Sequence, residues 1–254
     1  MCRSWLATVI CQSFVTVAHR VSGLAGPSVD GVTKILDSFD DVTVVIPCRD
    51  EAGALPGVLA AIPPGYRALV VDNGSTDGTA DVARAGGATV ISQDEPGYGA
   101  TVQAGIAAAG TPVVAVLDGD GSMDPGALPE LVELLRAGAD LVVGRRRPAE
   151  RGVWPWHARA GNYLVARRLR RRYGLPVHDI GALRVASRAS LLALGPLHRR
   201  SGYPLELLVA ASRAGWRVVE RDIEYRPRTH GRSKVSGSVL GTFRAVRDFL
   251  AVLR

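Results

Sequence analysis

The chain has 254 residues, 47% of them hydrophobic and 22% charged, and carries a formal net charge of +7. That length supports one large α/β domain with a full core, and those fractions belong to a soluble globular protein with no apolar run of membrane-spanning length. Lysine occurs only at Lys34 and Lys234, so almost all the positive charge is arginine, whose planar fork suits phosphate and diphosphate and points to anionic ligands or an anionic membrane surface. Cys2, Cys11 and Cys48 show neither metal-ligand spacing nor a disulfide framework, which argues for a reducing, cytoplasmic compartment. No nucleic-acid module is present, and nucleic acid is not an expected partner.

Residues 1–40 have no clear period and contain Gly23, Gly26 and Pro27; they read as an N-terminal extension outside the fold, with the domain running from 41 to 238. Val42 to Ile46 is a β-branched strand stopped by Pro47, and a helix follows over Leu55 to Ile62. Ala68 to Val71 is a second strand, running into the turn Asp72-Asn73-Gly74-Ser75-Thr76-Asp77-Gly78-Thr79, in which Asp77 or Thr79 caps a helix start. A third strand is expected at Thr89 to Ile91 and a small-residue helix at Ala100 to Ala109. Val113 to Leu117 is a fully buried strand ending abruptly in Asp118-Gly119-Asp120-Gly121. A helix over Ala127 to Arg136 and a strand over Leu141 to Val143 precede Gly144-Arg145-Arg146-Arg147. Beyond Trp154-Pro155-Trp156 come a basic helix (Ala158 to Arg172), a strand (Ala182 to Ala186), a helix (Pro204 to Ala214) and an extended run (Trp216 to Tyr225). Residues 239–254 read as an amphipathic helix packed on or extending the domain. This alternation predicts a mostly parallel sheet with helices on both faces and functional loops along one edge.

Ligands in such sheets gather outside the carboxyl ends of the strands. Asp118 and Asp120 stand there, two residues apart and so on one face of an extended chain, as a pair of hard oxygen ligands suited to Mg²⁺ or Mn²⁺. An Asp-Gly turn with solvated carboxylates is the competing reading. Gly97-Tyr98-Gly99 lacks the third glycine of a dinucleotide fingerprint, because position 102 is Val102, and neither a P-loop nor an H-E-x-x-H pair occurs.

The succession Pro47-Cys48-Arg49-Asp50-Glu51, Asp72 to Thr79, Gly97-Tyr98-Gly99-Ala100 and Asp118-Gly119-Asp120-Gly121 resembles the family 2 inverting glycosyltransferases of the GT-A fold. Its likeness to the dolichyl- or polyprenyl-phosphate sugar synthases continues through Val143-Gly144-Arg145, His178-Asp179-Ile180-Gly181, Glu206-Leu207-Leu208 and the run Tyr225 to Lys234. The resemblance implies that Pro47, Arg49 and Glu51 line the base and ribose pocket and that Asp72, with Ser75, meets the base. Asp50 and Glu51 can equally be a solvated first helical turn, and Asp72 and Ser75 simple turn formers. Gly97 and Gly99 would let backbone approach the nucleotide, or else only open a helix. Asp118 would face ribose or sugar and Asp120 the cation; both carry the metal role. Ser122 stands where that branch often has glutamine.

Arg145, Arg159 and Asn162 are candidates for an acceptor phosphate, with Asp179 beside them; the neighbouring arginines, Arg146 included, read as basic surface. Arg232 and Lys234 would close over the diphosphate as a lid. Glu206 is a catalytic candidate or a structural carboxylate, since it is a lone carboxylate among Leu205, Leu207, Leu208 and Val209. Where the family pattern has Gly-Phe-Arg, this chain has Gly181-Ala182-Leu183-Arg184. The implied activity is metal-dependent, inverting transfer of a hexose from a UDP- or GDP-sugar to a polyprenyl phosphate by a peripheral protein at the inner membrane face. A soluble transferase acting on a small hydroxyl acceptor and a non-catalytic nucleotide-sugar-binding or membrane-associated protein are the alternatives.

Overall fold

A computed structural model describes residues 41–150, 152–231, 247–249 and 251–252. The expected extension (1–40) and most of the expected terminal helix (239–254) lie outside these residues. Seven strands form one sheet: β1 (Val42–Cys48), β2 (Arg67–Asp72), β3 (Thr89–Ser92), β4 (Val113–Val116), β5 (Leu141–Pro148), β6 (Arg184–Ser187) and β7 (Val218–Tyr225). Their order is β3-β2-β1-β4-β6-β5-β7. β6 runs against both its neighbours, and every other pairing is parallel.

Side chains alternate across this sheet with the strand period. Val42, Val44 and Ile46 of β1, with Val113 and Ala115 of β4, pack under α1 (Leu55–Ala60), α2 (Thr79–Ala85) and α4 (Leu128–Arg136). Val45, Val114 and Val116 face the other way, toward α3 (Tyr98–Ala108), α5 (Trp156–Tyr173), α6 (Arg188–Ala193) and α7 (Tyr203–Arg213). Phe249 and Val252 pack against this second cluster. α6 has no counterpart in the sequence reading; it is a six-residue helix whose start is capped by Ser187, which accepts from the Ser190 N–H at 3.5 Å.

Two departures from the expected strand ends bear on the site. β1 does not stop at Pro47 but continues through it to Cys48, in register with Val71 and Asp72. Val45 accepts the Leu117 N–H at 3.0 Å, so odd-numbered residues of β1 present their backbone to β4. Pro47 would be next to donate there and has no N–H. The proline therefore ends the β1–β4 ladder without touching the β1–β2 ladder, and the chain after Leu117 is free to leave the sheet. It then crosses the end of β1 closely: a Cβ on Gly119 would stand 2.6 Å from Cys48 Sγ and 3.1 Å from Ile46 Cγ2.

α3 lies on β1 and β2 with equal intimacy. A Cβ on Gly105 would overlap Val45 and stand 2.9 Å from Val71 Cγ2. Gly105→Ala is expected to lower unfolding free energy by about 1–3 kcal/mol, read as a reduced denaturation midpoint with unchanged slope.

Candidate active site

The carboxyl ends of β1, β2, β4 and β5 bring four loops to one edge of the sheet, and their side chains meet there. Asp120 is 3% exposed. Its Oδ1 accepts the Ser122 N–H at 2.9 Å, and its Oδ2 pairs with Arg228 Nη2 at 2.8 Å. Arg228 also reaches Glu51 Oε1 at 3.5 Å, tying the β1 loop to the segment that follows β7. Thr229 donates its N–H to the Asp120 carbonyl at 3.3 Å, and His230 lies against Gly53. The root of the segment leading to Arg232 and Lys234 is thus seated on Asp120; those two residues lie outside the described ones.

Asp118 is crowded by charge of both signs. Burial, then the Asp120 carboxylate, pushes its carboxyl up to about 6, against the pull of Arg228, Arg146 and Arg184. Tyr98 is buried beside it, and burial together with the Asp118 charge holds the phenol well above its ordinary range. Two converging carboxylates fit Mg²⁺ or Mn²⁺ of the kind held by one or two protein carboxylates plus substrate phosphates. Among the described residues no group of three or more His, Cys, Asp and Glu converges as a complete protein cage.

The loops after β1 and β2 are stitched to each other by side chains. Asp50, held at a φ of 51°, accepts the Thr76 N–H at 2.8 Å, while its own N–H donates to Ser75 Oγ at 2.9 Å. The Glu51 N–H donates to Thr79 Oγ1 and the Ala52 N–H to Asp77 Oδ2. Asp72 accepts the Ser75 hydroxyl at Oδ1; the contact of its Oδ2 with the Ser75 N–H is long, 3.4 Å. Asp72 and Ser75 therefore form a turn, with one carboxylate oxygen still able to take a donor. Pro47 is partly buried at the strand end, and Arg49 is exposed beyond it.

Gly97 and Gly99 stand against the loop that precedes α7. A Cβ on either would overlap the carbonyl oxygens of Arg199 and His198 respectively, and the Ala100 N–H donates to the Arg199 carbonyl at 2.7 Å. The space left by these two glycines is filled by the loop before α7, so the close approach is backbone on backbone. Glu206, in the first turn of α7, accepts the His198 N–H of the same loop and has a structural occupation.

Along β5 two adjacent arginines diverge. Arg145 points, with Val143, to the α3/α5 face and pairs with Asp222 at 3.7 Å and Glu220 at 3.9 Å. Arg146 points the other way, forks onto Asp179 (Nε–Oδ2 2.8 Å, Nη2–Oδ1 2.7 Å) and stacks 4.2 Å from the Trp154 ring and 5.4 Å from that of Tyr225. The Asp179 bonds hold its guanidinium ionised despite burial. It is Arg146, read from sequence as surface charge, whose field reaches Asp118. Asn162 clamps the 178–180 loop, donating to the His178 carbonyl at 3.3 Å and accepting the Ile180 N–H at 3.1 Å, and Arg159 is exposed on α5.

Arg184 was also outside the sequence-derived set. It is 2% exposed at the start of β6, donates from Nη2 to the Ile180 and Gly181 carbonyls, and leaves Nε and Nη1 without a hydrogen-bond partner among the described residues. Its position in the motif Gly181-Ala182-Leu183-Arg184 was visible; its burial next to the carboxylate pair was not.

The sequence profile described as glycosyl transferase family 2 matches residues 43–195. The chain belongs to that family. An uncharacterized glycosyltransferase of Mycobacterium tuberculosis is 61% identical over 214 residues, 84% of this chain and 98% of that protein. A dolichyl-phosphate hexose transferase of Haloferax volcanii is 35% identical over 194 residues, 75% of this chain and 85% of that one. Among solved structures, glucosyl-3-phosphoglycerate synthase of M. tuberculosis, in complex with Mn²⁺, UDP and glucosyl-3-phosphoglycerate, superposes with a TM-score of 0.66 at 26% identity over 84% of this chain and 78% of that one. The protein is a glycosyltransferase of GT-A fold.

For this glycosyltransferase the charged pair carries a stability cost. The Asp118 carboxyl is raised in the folded state, so the cost of ionising it is fully present above about pH 6 and disappears as pH falls toward the unfolded value near 4. Asp118→Asn is expected to melt higher than wild type in metal-free buffer at about pH 7 and to lose that advantage near pH 4, as followed by thermal unfolding across the range.

Proposed function

We propose that this glycosyltransferase moves a hexose from a UDP- or GDP-sugar to a polyprenyl phosphate by in-line displacement at the anomeric carbon. One observation carries the choice of acceptor. A hydroxyl acceptor needs a general base at the reacting centre, and the two remaining carboxylate candidates are committed: Asp179 to the Arg146 fork and Glu206 to the His198 N–H. A phosphate acceptor arrives already ionised and needs no base. The similarity to a dolichyl-phosphate hexose transferase supports the same choice.

Asp118 and Asp120 are the residues that would hold Mg²⁺ or Mn²⁺, which when bound supplies Lewis-acid assistance to the departing nucleoside diphosphate. Asp72 and the stitched loops around Glu51 orient the base and ribose. Arg228, already on Asp120, and the segment beyond it with Arg232 and Lys234 bring positive charge over the diphosphate. Arg146 and Arg184 set a positive field on the opposite side, toward which an acceptor phosphate is drawn. The acceptor oxygen forms the new bond to the anomeric carbon as the bond to the diphosphate breaks, and the sugar inverts. No helix of the described residues is long and apolar enough to cross a membrane; the acceptor is reached from the cytoplasmic surface by a peripheral protein.

A second reading is favoured by the fold similarity to glucosyl-3-phosphoglycerate synthase: transfer to a small, water-soluble acceptor. Incubation with a panel of radiolabelled UDP- and GDP-sugars and a polyprenyl phosphate separates the two. Label is expected in the organic-extractable product, lost on chelation of divalent cations and reduced about a hundredfold or more in Asp120→Ala. Label appearing only in water-soluble product overturns the lipid acceptor in favour of the second reading.

A further inference from the structure

Among the described residues, three of the four large apolar side chains that stand most exposed sit on one helix: Trp156 (80%), Tyr163 (57%) and Leu164 (60%), all on α5. At 100° per residue, Trp156, Ala160, Tyr163 and Leu164 fall within about 100° of one another, opposite the buried Ala166 and Leu169. Arg167 and Arg171 continue the same outward stripe one and two turns later, so the exposed face is apolar in its first half and cationic in its second. The helix contains six arginines and no acidic residue. Among the described residues no carboxylate pairs with Arg167 or Arg171.

Large exposed apolar groups on a soluble surface mark an interaction site. Trp and Tyr beside arginine, with apolar groups on the same stripe, is the composition of helices that lie in a lipid headgroup layer. A second copy of the chain is a poor occupant, because face-to-face packing would bury the cationic half of each helix against either the cationic or the apolar half of the other, with no carboxylate on the helix to meet it. The position is also informative. α5 begins two residues after Trp154, whose ring stacks on Arg146 at the edge of the strand-end site. A surface touching Trp156 is therefore next to the place where the acceptor is received.

We infer that the outward face of α5 docks on an anionic lipid surface, with Trp156, Tyr163 and Leu164 in the headgroup layer and Arg167 and Arg171 on lipid phosphates. This rests on the lipid-phosphate reading above and assigns the contact that would deliver the site to a membrane-bound acceptor. Docking of this kind weakens with salt through its arginines and keeps a salt-insensitive part through its aromatic and aliphatic groups.

The test is co-sedimentation of the full chain with phosphatidylcholine vesicles, with and without phosphatidylglycerol. Wild type is expected to pellet with the phosphatidylglycerol vesicles and to be released progressively by salt. Arg167→Glu with Arg171→Glu is expected to weaken partitioning by more than about twenty-five-fold, at about fivefold for each arginine lost. Trp156→Ser with Tyr163→Ser and Leu164→Ser is expected to weaken it by about tenfold or more at low salt. All these side chains project from the surface, and both variants should retain the wild-type melting temperature and transfer to a short, water-soluble isoprenyl phosphate. Vesicle binding equal to wild type in both variants, or none in wild type, overturns the docking face. So does a self-association, or capture of an acidic protein, that the triple variant abolishes while vesicle binding persists. Normal vesicle docking with no transfer to any isoprenyl phosphate would instead refute the acceptor and leave the docking face standing.

Discussion

The repulsion between Asp118 and Asp120 is the constraint from which the rest of the site follows. Two carboxylates held this close and this deep cannot both ionise without nearby positive charge. The chain supplies it from three places far apart in sequence: Arg146 at the end of β5, Arg184 at the start of β6 and Arg228 after β7. The pairing of Arg228 with Asp120 and Glu51 draws the β7 exit onto the β1 and β4 loops. An ion pair so buried is weak evidence for stability, and its value here lies in bringing these loops to one point.

The two sides of the site are built by different means. Beyond β1 and β2, short polar side chains bond to backbone of the neighbouring loop: Asp50 to Thr76, Thr79 to Glu51, and Asn73 to Gln93, Glu95 and Gly97. Such bonds fix backbone positions closely and carry little charge. Around β5, long side chains dominate: the Arg146 fork on Asp179, its stacking on Trp154, and Glu220 receiving the His178 and Asp179 N–H groups. The first arrangement suits a nucleotide, whose shape varies little, and the second a bulky anion read mainly by charge.

The fold was legible because the strands are apolar and the turns between them are not. Val113 to Leu117 running into Asp-Gly-Asp is a signal that composition alone makes strong. What stayed hidden depended on phase and on distance. Leu141 to Gly144 are buried on both faces, so no polar alternation marks which of Arg145 and Arg146 turns toward Asp118. Gly97 and Gly99 have the composition of a ligand-facing loop, yet what they accommodate is chain from a hundred residues later. Arg184 and Arg228 were quoted within their motifs, but their closeness to Asp118 arises from strand order, which no local pattern encodes. Pro47 looked like a stop because proline cannot continue a ladder. It does stop one, the ladder to β4, while the strand itself runs on.

The reversed direction of β6 gives its part of the sheet edge a freedom that the part built by β1, β2 and β4 lacks. β1, β2 and β4 deliver their residues from strand ends that are followed at once by a short loop and a helix, so altering any one of those loops displaces a helix. β6 meets the same edge with its beginning, and the segment from Gly174 to Leu183 arrives there as open chain. Insertions or exchanges in that stretch can reshape this part of the edge while the loops after β1, β2 and β4 keep their positions.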